Sequence, residues 1–136
     1  MEDCIFCKIV KGEIPCQKVY ENDKILAFLD ISPIHKGHTL VIPKEHHENI
    51  LDMPDETLAE LAKTAKKISK AVKEATNADG FNVTQNNGEA AGQAVFHFHL
   101  HIIPRFENDG LKTWPHTKVP EEEMKQIHED IKNSLE

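Results

Sequence analysis

The sequence has no apolar run approaching the ~18 residues that a membrane-crossing helix needs. Its first residues, Met1-Glu2-Asp3-Cys4, carry acids where a secretory leader would carry bases. Both observations predict a chain that stays in the cytoplasm, with no membrane partner. Basic residues are in short supply as well: Lys and Arg number 16 against 23 Asp and Glu, a formal net charge of -7. Such a chain lacks the basic face with which proteins grip long polyanions, so nucleic acid is not an expected partner. A small anionic ligand needs only a few local donors and stays in play. Cysteine is scarce, and three thiols in a reducing compartment do not build a disulfide framework. Repeats, low-complexity stretches and linkers are missing too. One domain is expected over 1–136, with a core over 1–110 and a C-terminal tail over 111–136 that ends in a short helix.

What is present divides into strands and helices. Val19-Tyr20-Glu21 and Ile25-Leu26-Ala27-Phe28-Leu29 flank Asn22-Asp23, a hairpin signature. Thr39-Leu40-Val41-Ile42 is a third β-rich run, expected to stop at Pro43. Leu58, Leu61, Ala62, Ala65, Ile68, Val72 and Ala75 then recur at helical spacing. Pro54, Asp55 and Glu56 suit the start of that helix, and Gly80 is expected to end it. Its lysines, Lys63, Lys66, Lys67, Lys70 and Lys73, read as a solvated outer face rather than a basic patch. Phe81–Thr84 is a fourth strand and about 96–103 a fifth, stopped by Pro104. Met124, Ile127, Ile131 and Leu135 mark the final helix. Strands joined by turns with helices laid on them predict an α+β domain around an antiparallel sheet.

The chemistry concentrates in His97-Phe98-His99-Leu100-His101-Ile102-Ile103. Side chains alternate along a strand, so the three histidines share one face, roughly 6.5–7 Å apart, while Phe96, Phe98, Leu100 and Ile102 face the core. With 9 His in 136 residues, three at alternating positions arise by chance in roughly 4 of 100 such chains. Requiring the apolar residues between and after them lowers this to about 1 in 1,000, so the pattern outranks most short motifs. Three readings follow: a catalytic metal site, an imidazole nucleophile with supporting histidines, and a polar sheet face. The preceding stretch, with Asn86, Asn87, Gly88, Gly92 and Gln93, offers amide and backbone N–H donors that suit phosphate oxygens rather than a cation. Neutral imidazole is also a good nucleophile at cellular pH. The balance falls on the nucleophile.

The run 97–103 resembles the signature of the histidine-triad (HIT) family: His, apolar, His, apolar, His, apolar, apolar. Cys4–Val10 with Gly12-Glu13-Ile14-Pro15, Ala27–Pro33, Gly37–Lys44 and Gly92-Gln93 are similar to further segments of that family, in its order, so the resemblance spans nearly the whole chain. It is nearest to the branch of small nucleotide-binding, purine-nucleoside phosphoramidase-like proteins. The resemblance implies a HIT-like α+β fold: a five-stranded antiparallel sheet, one long helix with one or more short ones, and a two-fold homodimer. The helix from Asp55 and the strand from Phe81 are the candidate interface, and the tail with Trp114 is expected to reach toward the partner's site. It further implies a nucleotide hydrolase or transferase. His99 would be the nucleophile that forms a nucleotidyl-histidine intermediate, and His101 and His38 would support it. Asp30 would hold the ribose, Ile31 the base, and Asn86 and Gln93 the phosphate region. The ligand would be a purine nucleotide such as AMP, or a phosphoramidate or dinucleotide of it, with no organic cofactor. One position departs: Ala94 stands where the family often has Ser or Thr. The alternative function is a nucleotide-binding scaffold or sensor with little turnover.

Cys4 and Cys7 form a C-x-x-C pair. A redox dithiol would want a βαβ setting, which the pattern does not offer. A structural zinc site needs four ligands, and His46 and His97 are the candidates to complete one, with His47 the rival to His46. His35, His116 and His128 are expected to be exposed.

Overall fold

The computed structural model describes residues 3–135; Met1, Glu2 and Glu136, the ends of the expected domain, lie outside them. It forms a five-stranded antiparallel sheet with three helices. In chain order these are α1 (Ile5–Val10), β1 (Lys18–Glu21), β2 (Ile25–Leu29), β3 (Thr39–Pro43), α2 (Asp55–Thr76), β4 (Gly80–Gln85), β5 (Leu100–Arg105) and α3 (Glu121–Ser134). The strand order is β1-β2-β3-β5-β4, which leaves β1 and β4 as edges. No helix of the described residues is long and apolar enough to cross a membrane.

Both sheet faces are covered over β2 and β3, which explains why Ile25–Phe28 is apolar throughout instead of alternating. On one face, Ile25, Ala27, Val41, Phe98 and Ile102 meet Leu61, Ala65, Ile68 and Val72 of α2. Burying Leu61, Ile68 and Val72 contributes about 5–9 kcal/mol before entropy is counted. On the other face, Leu26, Phe28, Leu40 and Ile42 take Phe6 of α1. The β1–β2 hairpin closes as expected, with the Asn22 side chain accepting from the backbone N–H of Lys24 and Ile25, both at 2.9 Å.

Several expected boundaries shift. The long helix ends at Asn77, which takes the left-handed conformation (φ 56°), and Gly80 instead opens β4. Asn tolerates that conformation through its short polar side chain. β3 includes Pro43 and β5 includes Pro104, although both prolines were expected to end their strands. β3 and β5 pair with each other only over Thr39–Val41 and Leu100–Ile102. Beyond those pairs, each strand has one side with no ladder, where a missing N–H costs nothing. The fifth strand also begins later than expected. Residues 96–99 stand outside the ladder, with Phe98 N–H bonded to His47 O at 2.7 Å.

The tail behaves differently from the core. Every residue from Leu111 to Leu135 is exposed, and α3 buries no side chain among the described residues. The root of the tail is nevertheless fixed: Arg105 grips Asp109 through two bonds of 2.8 and 3.0 Å and also donates to Leu111 O at 3.1 Å. His35, expected to be exposed, belongs to this root, with Nε2 3.2 Å from Asp109 and its ring edge-on to Phe106. The Arg105 guanidinium holds the Asp109 carboxyl well below the usual carboxylate range. His116 and His128 are exposed.

Candidate active site

His101 pairs with Leu40 of β3, and His38 directly precedes that strand, so His38, His99 and His101 gather on the face that carries α1. Their backbone neighbours determine where each ring proton resides. Ile34 N–H donates to His38 Nδ1 at 3.1 Å, which leaves the His38 proton on Nε2. That proton points at His101 Nδ1, 2.9 Å away, so His101 carries its own proton on Nε2. His99 Nδ1–H donates to the carbonyl of His97 at 2.7 Å, leaving the Nε2 lone pair free. A neutral histidine has one donor and one acceptor nitrogen, so these contacts define each tautomer. The rings are neutral: burial pushes His101 down to about 4, with His99 and His38 adding to it, and burial also lowers His99 and His38.

His99 and His101 line a cavity of about 380 Å³. One wall is Ile5, Phe6 and Ile9 of α1, and the other is Phe28, Leu29, Asp30 and Leu40. An apolar slot with a few convergent polar groups suits a flat aromatic ligand carrying a polar end. Asp30 contributes the polar end: Oδ1 accepts Ser32 N–H at 2.8 Å, and Oδ2 lies 3.6 Å from His38 Nε2. Ile31 sits at the rim, 92% exposed, rather than enclosed. Cys16 and Phe6, which the sequence did not single out for this site, also line the cavity; the signal for Phe6 was its position between the two cysteines.

The expected phosphate ligands separate. Gln93 is buried and occupied by the loop: it accepts from Gly88 N–H at 2.8 Å and donates to Glu48 O at 2.7 Å and to Val95 O at 3.1 Å. In this conformation it braces the loop rather than offering a free amide. Asn86 lines a second cleft, with Thr84, Lys112 and Trp114, rather than the cavity that holds His99 and His101. Ala94 lines the main cavity and supplies no hydroxyl there.

Among the described residues, two side-chain clusters bring possible metal ligands within 4.8 Å of one another. In the first, Cys4, Cys7, His46 and His97 converge. His97 Nε2–H donates to Pro43 O at 2.8 Å, which turns its Nδ1 lone pair toward Cys4 Sγ at 3.3 Å and Cys7 Sγ at 3.5 Å. Cys7 Sγ lies 3.4 Å from His46 Nδ1. Two thiols and two imidazoles with inward lone pairs are a donor set that fits tetrahedral zinc. His47, the rival to His46, stands outside this cluster; its buried Nε2 has no hydrogen-bond partner among the described residues and lies 3.6 Å from Glu45 Oε1. The second cluster, Asp30, His38 and His101, does not fit a cation. His38 Nε2 carries a proton that His101 Nδ1 accepts, so the atom between His101 and Asp30 is a donor rather than a ligand. Of the three triad histidines, His97 belongs to the first cluster, His101 to the second and His99 to neither, so they do not converge on one metal.

The HIT domain family matches residues 11–108 of the chain. A relative from Schizosaccharomyces pombe, named adenosine 5'-monophosphoramidase hnt1, is 47% identical over 134 residues, covering 97% of this chain and 98% of that protein. The crystal structure of SMU.412c from Streptococcus mutans UA159 superposes with a TM-score of 0.94 at 50% identity, covering 100% of this chain and 87% of that one. A structure described as a Zn-bound histidine triad family protein from Mycobacterium smegmatis gives a TM-score of 0.78 at 43% identity, covering 86% of this chain and 85% of that one.

Proposed function

Since the chain belongs to the HIT family, we propose that it is a cytoplasmic nucleotide hydrolase or transferase that cleaves the bond between the α-phosphorus of a purine nucleotide and its leaving group, P–N or P–O–P, through a nucleotidyl-His99 intermediate. The observation that carries this reading is the tautomer of His99: its Nδ1–H is held by the His97 carbonyl, and its Nε2 lone pair is free beside an apolar slot that ends in Asp30. The base lies between α1 and the wall from Phe28 to Ile31, and Asp30 takes the ribose hydroxyls. His101 Nε2–H donates to a phosphate oxygen, with its orientation set by His38. Asn86 contributes from the leaving-group side. As the Nε2–P bond forms, the bond to the leaving group breaks, and that group departs with a proton from solvent. His99 becomes a cation, and the His97 carbonyl, accepting from Nδ1–H, stabilises it. Water then attacks phosphorus, gives up a proton, and releases the nucleoside monophosphate and neutral His99. Phosphoramidates of AMP are the first substrates to test, given the relative named an adenosine 5'-monophosphoramidase.

Cys4, Cys7, His46 and His97 would hold a structural zinc, which supplies no chemistry to the reaction and ties α1 to the sheet. The three free thiols suit a reducing compartment. The exposed β4 edge supports reading the protein as a homodimer. Phe81 and Val83 there, with Ala62 and Lys66 of α2, line an apolar groove, and the buried Ser69 hydroxyl beside it has no hydrogen-bond partner among the described residues. Ala65 packs into the chain's own core at 4% exposure and also lines this groove, while Ala62 beside it is exposed. The exposed tail, with Trp114 and the unpartnered stripe of α3, would cross to the second copy.

The test is His99→Ala, which should abolish hydrolysis of adenosine 5'-phosphoramidate while AMP still binds; His99→Gly should regain rate with added imidazole. Near-normal hydrolysis by His99→Ala refutes the reading. Ala94 favours a second reading, a nucleotide-binding sensor, for which the wild-type chain would bind AMP and not turn over phosphoramidate.

A further inference from the structure

The helix α1 belongs to two sites at once. Cys4 caps it, Cys7 lies on it, and Phe6 stands between them. At six residues it is too short to persist by its own hydrogen bonding. Its position depends on what holds its side chains. One face presents Cys4 and Cys7 to His97 and His46, and another presents Ile5, Phe6 and Ile9 to the nucleotide cavity.

Two contacts run from the cysteine–histidine cluster to the nucleophile. The first is a short hydrogen bond: His97, whose ring faces the thiols, accepts His99 Nδ1–H on its own carbonyl at 2.7 Å, and its ring is locked from behind by Pro43 O. The second is packing: the Phe6 ring stands edge-on to His97 at 5.8 Å and 74°, and edge-on to His99 at 5.1 Å and 89°. It also meets Phe28 of the opposite cavity wall at 5.6 Å and 77°. A displacement of α1 therefore moves a wall of the nucleotide slot and the ring that backs the nucleophile. Without a metal, only weak thiol contacts of 3.3–3.5 Å oppose that displacement from the cysteine side.

We propose that metal binding at Cys4, Cys7, His46 and His97 and nucleotide binding in the cavity are positively linked, with Phe6 as the positioning residue that couples them. Each ligand fixes α1 in the same place, so whichever binds first spares the second that ordering. By reciprocity, zinc tightens AMP by the same factor by which AMP tightens zinc. Couplings of this kind span about 5–150-fold, and two direct contacts to one short helix predict at least about 5-fold here. This rests on the zinc and nucleotide readings above, and the experiment separates their failures from its own.

The experiment uses the full chain and two titrations. AMP affinity is measured by calorimetry on metal-free protein and on protein with one equivalent of Zn²⁺. Zn²⁺ affinity is measured against a chromophoric chelator, with and without saturating AMP. The linkage predicts equal factors of 5 or more in both. Phe6→Leu, which keeps an apolar side chain in the wall, should bind both ligands with the factor reduced toward 1. Factors of 1 in wild type, or an undiminished factor in Phe6→Leu, overturn the proposal. Protein that binds AMP but no zinc refutes the metal reading and the linkage with it; protein that binds zinc but no AMP refutes the nucleotide reading. Should metal-free protein unfold, Co²⁺-loaded protein replaces it: AMP should shift the visible cobalt absorption in wild type and leave it unchanged in Phe6→Leu. An unshifted wild-type spectrum contradicts the coupling.

Discussion

Gly37 immediately precedes His38 and has φ +100°, a backbone conformation that L side chains rarely adopt. A Cβ placed there would lie 2.6 Å from Thr76 Cγ2, at the last turn of α2. Thr76 cannot rotate away freely, because its hydroxyl donates to Val72 O at 2.7 Å. Gly37→Ala therefore carries two costs. Backbone strain contributes about 1–2 kcal/mol, and losing or distorting the Thr76 bond adds about 0.5–1.5 kcal/mol. The reduced freedom of the unfolded chain gives back about 0.4–1 kcal/mol. The net is about 0.5–3 kcal/mol of destabilisation. Gly12 offers the control. It too has positive φ, +81°, but its Cβ would meet nothing within 4 Å, so Gly12→Ala carries the strain and not the clash. Urea unfolding of wild type and both variants should place Gly37→Ala below Gly12→Ala by about 0.5–1.5 kcal/mol. Because Gly37 sets the path into His38, turnover should fall in Gly37→Ala and hold in Gly12→Ala. Equal destabilisation of the two variants, or full activity in Gly37→Ala, would refute the reasoning.

Histidines 38 and 101, facing each other with Asp30 and His99 around them, are held neutral by burial, His101 down to about 4. The unfolded rings take protons near 6.5, so the stability tied to the neutral pair is complete above pH 6.5 and is lost as pH falls toward 4. Urea midpoints measured from pH 7 to 5 should decline, and His101→Asn should flatten that slope; a flat wild-type profile contradicts it. Chelator-free preparations should carry one zinc per chain by elemental analysis, and Cys7→Ser should lose it together with melting temperature; zinc-free wild type would end that reading. Light scattering at micromolar concentration should return twice the chain mass, and Val83→Glu on the β4 edge should return the monomer. A monomeric wild type would rule out the seam at β4.

The parts of the fold that periodicity encodes were readable from residues alone. Ile25–Phe28 and the Leu61–Val72 stripe register burial directly, because the hydrophobic effect imposes the spacing on the sequence. Elements whose stability is tertiary left no such trace. α1 is six residues with no helical repeat of its own, and it forms where Phe6 packs and the thiols meet two histidines. Pro43 and Pro104 read as strand stops, yet the strands continue because each lies where one side has no ladder. In the site, the histidine positions were visible as a pattern, but their tautomers were not. Those depend on the carbonyls of His97 and Pro43 and the N–H of Ile34, which come from three separate segments. Gln93 illustrates the converse: its residue type suggests a phosphate donor, and only the fold shows its amide committed to Glu48 and Val95. His35 looked like a surface histidine because nothing local marks Asp109 as its partner.

The central claim is that His99 Nε2 takes the nucleotidyl group. The direct measurement is to mix the protein with adenosine 5'-phosphoramidate, quench it within the first turnovers, and map the modified residue by mass spectrometry. The account predicts one adenylyl group per chain, on His99, absent from His99→Ala and decaying as AMP appears. Hydrolysis that proceeds with no adenylated protein, or with the adenylyl group on another residue, would contradict it.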